Sequence, residues 1–122
     1  MGGAVIGITG ISCGRHHPAL YDMLSESSTL AQICDLKTLK EIGQSYRLQT
    51  AAEMDADQLV SLLLTDTMGN PVSSNADKST IQTILHHKMN QDFEKDNTII
   101  VKGWVLAVTE ARQCALLFVD NP

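Results

Sequence analysis

Apolar residues recur every three or four positions along three stretches of the chain, and this spacing predicts three amphipathic helices. The first stretch covers 36–46, and Asp35 stands where an N-cap residue is expected. Its inner stripe consists of Leu36, Leu39, Ile42, Gly43 and Tyr46. The second stretch begins near Asp55 and is apolar around most of its circumference, so we expect this helix at the centre of the fold. The third covers 76–93. Its inner stripe consists of Ile81, Ile84, Leu85, Met89 and Phe93.

The last third of the chain changes from helical to extended spacing and back again. Residues 98–102 are β-branched and extended after a break at 95–97, but a lone strand is not stable. This segment either pairs with 104–106 through a tight turn at Gly103 or crosses the helices as an extended arm. A final helix is expected over 108–119. Its inner face consists of Val108, Ala111, Ala115 and Phe118, with Arg112 at the border.

Two further signals complete the expected architecture. A short helix or loose turn starts near Pro18 and is interrupted by the hydroxyl residues of 25–29. A strong turn signal at 68–71 divides the chain into two helical halves. The expected fold class is all-α: a compact bundle of about four helices with a short extended arm or hairpin before the last helix.

The first fourteen residues differ in character from the rest. No charged residue precedes Arg15, and the run consists of small and apolar residues. A membrane-spanning helix needs about 20 apolar residues, whereas the apolar core of an export signal needs only about 7–15. The basic start of such a signal is missing, so we expect 1–14 to be a truncated export-signal-like segment and 15–122 to be a single helical domain. The alternative for 1–14 is a Gly-rich buried strand or a tail.

Cys13 is a candidate for lipidation. The residues of 10–14 resemble the lipidation box of bacterial lipoproteins, in which a small residue precedes the modified cysteine. Ser12 fits that pattern, whereas Gly10 stands where the pattern has a branched aliphatic residue. Ordinary cleavage near this site, or none, is the alternative.

Cys34 and Cys114 are the remaining cysteines. In an oxidising compartment they allow one disulfide. Both stand among apolar residues, so the alternative is that each is a small buried hydrophobic side chain.

Composition and charge exclude several classes of protein. The chain has 122 residues, with 43% hydrophobic and 19% charged, which argues against disorder, a collagen-like repeat and a coiled-coil rod. Nine basic residues stand against fourteen acidic ones, and the net charge of −5 argues against binding to nucleic acid. Only 4% of the residues are aromatic, so the core is expected to consist mainly of aliphatic side chains.

No catalytic, cofactor-binding or metal-binding residue is predicted. Histidines occur in two adjacent pairs. His86 and His87 lie on a predicted helix, where adjacent residues point about 100° apart, so they cannot both bind one ion. His16 and His17 follow the export-signal-like segment, and we expect them in a flexible linker. The sequence has no nucleophile elbow, no phosphate-binding loop, no dinucleotide fingerprint and no haem-attachment motif. We therefore expect a chain that is not an enzyme; the alternative is a small enzyme that uses His86 or His87 with nearby carboxylates.

The only tryptophan, Trp104, lies in a segment with two interpretations. In the first, Trp104 fills the bundle, Glu110 lies near the positive end of the last helix, and Arg112 pairs with a carboxylate. In the second, Trp104, Arg112 and Glu110 form a site for a protein partner, because Trp and Arg dominate interface hot spots.

The same segment resembles the C-terminal signature of small bacterial proteins that carry a twin-arginine export signal, G-W-x-L-x-x-T-E-A-R-x-C-A-L. The matching residues are Asp92, Phe93, Thr98, Val101, Gly103, Trp104, Leu106, Thr109, Glu110, Ala111, Arg112, Cys114, Ala115 and Leu116. Upstream, Ile42, Gly43 and Tyr46 are similar to that group's I-G-x-x-Y helix. Ala107 departs from the pattern, because such proteins often have a helix-capping serine there. The twin arginines themselves are not in this sequence.

In size, export signal and helical character, this group is similar to the small subunits of periplasmic flavin-dependent sugar dehydrogenases. The resemblance implies an exported, non-catalytic accessory subunit or chaperone-like partner of a larger flavoprotein, in the periplasm or envelope and without a cofactor of its own. The alternative is a stand-alone periplasmic or lipid-anchored interaction domain, touching the membrane only through the lipid. A subunit is expected to expose an apolar patch larger than the roughly 300–600 Å² of a typical monomer.

Overall fold

The computed structural model describes residues 18–27, 30–51 and 55–122, and this part of the chain is mostly helical with a small two-stranded sheet. The helices are α1 (Pro18–Ser25), α2 (Leu36–Gln49), α3 (Ala56–Leu63), α4 (Lys78–Glu94) and α5 (Val108–Asp120). The strands are β1 (Thr98–Val101) and β2 (Trp104–Ala107), and a 3-10 turn, Leu30–Gln32, precedes α2. Segment 1–14, with Cys13, lies outside the described residues. No helix among those described is both long and apolar enough to cross a bilayer.

Helix α5, not α3, occupies the centre of the bundle. It packs against all four other helices and both strands. Its alanines, Ala111 and Ala115, are fully buried and allow its neighbours to approach closely. Helix α3 buries Leu59 and Leu63, but it has only eight residues and exposes the polar side of its circumference. The prediction of a central α3 was therefore wrong. The leucines of α3 correctly indicated a helix with a buried side, but the central helix is α5, whose small buried residues let the other helices pack around it.

Three helices begin at aspartates whose carboxylates cap them. Asp35, Asp55 and Asp77 each accept the backbone N–H three residues later, at 2.8 Å. The aspartate side chain thereby satisfies one of the N–H groups that a helix start leaves without a partner. The predicted cap at Asp35 is confirmed, and α4 begins two residues after the predicted start.

The extended segment forms a hairpin and does not cross the bundle as an arm. Strands β1 and β2 pair antiparallel, with Thr98 opposite Ala107 and Val101 opposite Trp104. Lys102 and Gly103 make the turn with φ values of 51° and 85°, the left-handed conformation that suits a two-residue hairpin. One face of the hairpin is buried against the core, and the other faces solvent.

The inner face of α4 is more polar than the sequence indicated. Ile81 and Leu85 are buried as predicted, but Phe93 is exposed and Lys88 is buried instead. The line of buried residues 81, 85 and 88 continues along the helix to the half-buried residue 92, at intervals of four, three and four. Phe93 is rotated about 100° from that line. The apolar side chain therefore points to solvent, and the polar side chains of this line reach other helices.

Candidate functional site

Part of the segment compared with that signature lies where α2 crosses α5, with Gly43 of α2 against Cys114 and Ala115 of α5. Ile42 and Tyr46 of α2 are buried there against Ala115 and its neighbours. Gly43 lies so close to α5 that a Cβ atom on it would be 2.0 Å from the carbonyl oxygen of Cys114. The two helix backbones are thus in contact, and this part of the signature serves packing.

Helix α5 is capped by a side chain from α4. Its N-cap residue, Ala107, has no side chain that can accept a hydrogen bond. Instead, Asp92 Oδ2 accepts the backbone N–H of Thr109 at 2.8 Å and its hydroxyl at 2.6 Å. Asp92 Oδ1 also accepts from Asn97 at 3.0 Å. Asp92 therefore does what a serine at 107 would do, and it ties the end of α4 to the start of α5.

Glu110 also helps to cap the N-terminus of α5, from the buried side of the helix. Its carboxylate accepts the backbone N–H of Ala107 at 3.1 Å. Burial raises the pKa of Glu110, the hydrogen bond from Ala107 opposes that shift, and the nearby charge of Asp92 adds to it. The structure thus places this predicted partner-binding residue within the fold.

Lys88 caps the C-terminal end of α3. Its Nζ donates to the carbonyls of Leu62 at 2.5 Å and Leu63 at 3.3 Å, at the C-terminus of α3. Burial, and to a smaller extent the charge of Arg112, lower the pKa of Lys88 to about 8 against the opposing charges of Asp92 and Asp66. The ammonium group therefore joins α4 to the C-terminus of α3.

Gln113 has the same role for α1. Its Nε2 donates to the carbonyls of Leu24 and Glu26, both at 3.0 Å. These are among the last carbonyls of α1 and the residues that follow it, which lack partners within the helix. Asp92, Lys88 and Gln113 therefore each satisfy the end of another helix.

Trp104 and Arg112 are both half-buried. Trp104 packs against the edge of the core from β2. Arg112 lies two residues after Glu110 on α5, so the two side chains point in nearly opposite directions. The structure does not bring the three predicted partner-binding residues together on one exposed face.

Cys34 and Cys114 are free thiols in this structure, so the disulfide considered from the sequence is not formed. Burial, together with the charges of Glu110 and Cys34, raises the pKa of Cys114 to about 12. Burial likewise raises the pKa of Cys34, with a contribution from Asp35. Both thiols are therefore protonated at neutral pH.

His86 and His87 lie exposed on α4, along a cleft of about 380 Å³ that Glu26 and Gln113 also line. Among the described residues, no group of three or more His, Cys, Asp or Glu side chains is placed to hold a metal ion. His16 and His17 lie outside the residues that the structure describes.

An open apolar groove of about 340 Å³ runs between α1, the 3-10 turn, α2 and α5. Its apolar lining consists of Met23, Ala31, Leu36, Leu39 and Leu117, and its rim carries Asp22, Glu26 and Lys78. Leu36 is 53% exposed, and Ile33, close by in sequence, is 65% exposed. The helical spacing assigned Leu36 to the buried stripe of α2, and this was wrong: Leu36 is exposed, whereas Leu39 and Ile42 are buried. This groove was therefore missed in the sequence.

No protein-family model, no curated protein and no solved structure matches this chain. Two features of its described surface and interior remain for a functional interpretation. One is the set of polar side chains that join helix ends, which serves the fold. The other is the apolar groove, which is open to solvent.

Proposed function

We propose that this chain is a non-catalytic accessory subunit or chaperone-like partner that binds a larger protein through the groove between α1 and α2. The observation that carries the proposal is the exposure of Leu36 and Ile33 beside an apolar groove of about 340 Å³. Large aliphatic side chains in contact with water favour burial by about 25 cal/mol per Å² of apolar surface. A partner that inserts apolar side chains into the groove removes this surface from water.

The charges at the rim add selectivity to this apolar contact. Asp22 and Glu26 lie four residues apart on the α1 side, and Lys78 Nζ is 3.8 Å from a carboxylate oxygen of Glu26. Gln82 also donates to Glu26, at 3.3 Å, so this carboxylate has partners within the chain. A partner segment with apolar anchors and a basic residue opposite Asp22 suits the groove.

The proposed partner is a larger exported flavin-dependent oxidoreductase. The support is the resemblance of the segment from Asp92 to Leu116 to proteins with a twin-arginine export signal, and the similar plan of the small subunits of flavin-dependent sugar dehydrogenases. Most of the described signature residues are buried and support the fold. The resemblance therefore supports a scaffold like that of this group, and the signature itself does not form the docking surface. The groove supplies the docking surface, and the proposed compartment is the periplasm or envelope.

The test is affinity capture of the tagged full-length chain from the envelope fraction of its native host, followed by an absorbance spectrum and mass spectrometry of the eluate. We expect a stoichiometric larger protein with flavin absorbance. The Leu36→Glu variant is expected to lose it. This residue opens α2, where a carboxylate interacts favourably with the helix dipole, so the variant is expected to fold.

Phe93→Glu is the matched control, because it also places a charge at an exposed apolar side chain, but on α4. It is expected to retain the partner. A colourless eluate that contains only this chain would contradict the proposal and favour a stand-alone interaction domain. Retention of the partner by Leu36→Glu would place the docking surface elsewhere.

A further inference from the structure

The outward face of the hairpin exposes a second group of apolar side chains. Ile100 and Val105 lie directly opposite each other across the two strands and are 65% and 62% exposed. Leu48, in the last turn of α2, is 79% exposed, and the side chain of its neighbour Gln49 donates to the carbonyl of Ile100 at 3.4 Å. Large aliphatic side chains are thus exposed both on the hairpin and in the turn of α2 that contacts it.

This face lacks the cover that the opposite face has. The inward face buries Val101 and Leu106 against the core beside α5. A two-stranded sheet with one solvated face normally carries polar residues on that face, because its side chains alternate between the core and water. Here the central cross-strand pair of the outward face is entirely aliphatic.

The charges along the hairpin are arranged so that the face complements itself. Its tip carries the exposed ammonium group of Lys102. Its base, at the end of α4, carries Glu94 and Asp96 against the single basic residue Lys95. If two such hairpins pack face to face in opposite directions, the positive tip of each lies towards the negative base of the other. A twofold axis produces this arrangement, since it brings the same patch of both copies together.

We propose that two copies of this chain associate through the outward faces of their hairpins, with the pairs of Ile100 and Val105 at the centre of the contact. A contact of this extent belongs to the small, weak class of interfaces. The dimer therefore forms at high protein concentration and dissociates on dilution. This surface involves β1, β2 and the end of α2, whereas the proposed groove lies between α1 and the start of α2, so either proposal can fail without the other.

The test is sedimentation equilibrium of the full-length chain from about 10 µM to about 1 mM, the range in which weak contacts associate. We expect the average mass to rise with concentration from 13.3 kDa towards twice that value. Ile100→Lys and, independently, Val105→Lys are expected to remain monomeric at every concentration. Because both side chains are exposed, the variants are expected to keep the circular dichroism spectrum of the wild type.

Met68→Lys is the control for added charge at an exposed apolar residue, because Met68 is 81% exposed in the loop between α3 and α4, outside the hairpin and its base; it is expected to associate like the wild type. Lys102→Glu is expected to weaken association by about two- to fivefold, and added salt is expected to weaken the wild-type dimer. A single 13.3 kDa species over the whole range, or association that persists in Ile100→Lys, would overturn the proposal. Insensitivity to both Lys102→Glu and salt would contradict the antiparallel arrangement.

Discussion

Replacing Gly43 with alanine tests how closely α2 and α5 depend on backbone contact. The new methyl carbon would lie 2.0 Å from the carbonyl oxygen of Cys114, 2.5 Å from its carbonyl carbon and 2.9 Å from the nitrogen of Ala115. Even close C–H···O contacts have carbon-to-oxygen distances of about 3.3–3.6 Å. The atoms that the methyl group meets belong to helix backbone and cannot rotate away. The two helices must therefore separate by more than about 1 Å.

The expected loss of stability is the balance of two opposing effects. In an unhindered helix, alanine stabilises by about 1 kcal/mol relative to glycine. Overpacking a buried site costs about 1–3 kcal/mol and more where rigid groups collide, as they do here. Separation of the helices also loosens the contacts of Ile42 and Tyr46, which are buried on either side of the glycine. We expect a net loss of about 2–4 kcal/mol, a large part of the roughly 5–15 kcal/mol that stabilises a domain.

Urea denaturation followed by circular dichroism measures this free energy of unfolding. Gly69→Ala and Gly103→Ala are the controls, because both glycines have φ of 85° and nothing lies within 4 Å of an added Cβ. Those variants are expected to lose about 1–2 kcal/mol from backbone strain alone. If Gly43→Ala is as stable as the wild type, or more stable, the proposed backbone contact between α2 and α5 is refuted.

Further predictions concern the polar side chains of the interior. Asp92→Ala is expected to lose about 1–2 kcal/mol in urea denaturation, because α5 loses its cap, whereas Asp92→Asn keeps an acceptor and loses less. The pKa of Lys88 is about 8 in the folded chain and 10.5 in the unfolded one, so the unfolded chain binds more protons between these values. The contribution of Lys88 to stability therefore increases as pH rises from 8 to 10.5, by up to about 3 kcal/mol, and Lys88→Met lacks this increase. Cys114 has the opposite effect, because its raised pKa makes the folded state less stable as pH rises above 9.0. Comparing the wild type with Lys88→Met at each pH cancels this effect of Cys114. Because burial raises the pKa of Glu110, its ionisation destabilises the fold as pH rises above 4.5. Glu110→Gln keeps the acceptor for Ala107 and is expected to unfold at an equal or higher urea concentration at pH 7, while equal destabilisation by Gln and Ala would contradict this reasoning.

The features that the sequence predicted correctly depend on neighbours in the chain. The cap at Asp35 needs only the three residues that follow it. The turn at Lys102 and Gly103 needs only residues that adopt positive φ between two extended segments. Helices α2, α4 and α5 were therefore predicted within about two residues at their starts, and the hairpin was one of two alternatives.

The features that were missed depend on contacts between distant parts of the chain. Lys88 and Gln113 are polar residues on helices, which local spacing assigns to the surface. Each is buried because the end of another helix offers unpaired carbonyls at that place. Asp92 caps α5 only because the hairpin returns the chain to the end of α4. The groove likewise depends on where α1 and α5 end relative to Leu36.

Capture of the partner by the wild-type chain and by Leu36→Glu, side by side, tests the central claim most directly. The measurement is the ratio of flavin absorbance to captured chain in the two eluates. The proposed accessory subunit predicts a stoichiometric flavoprotein with the wild type and with Phe93→Glu, and its loss with Leu36→Glu. An absence of flavin and of any larger protein in the wild-type eluate would contradict the claim.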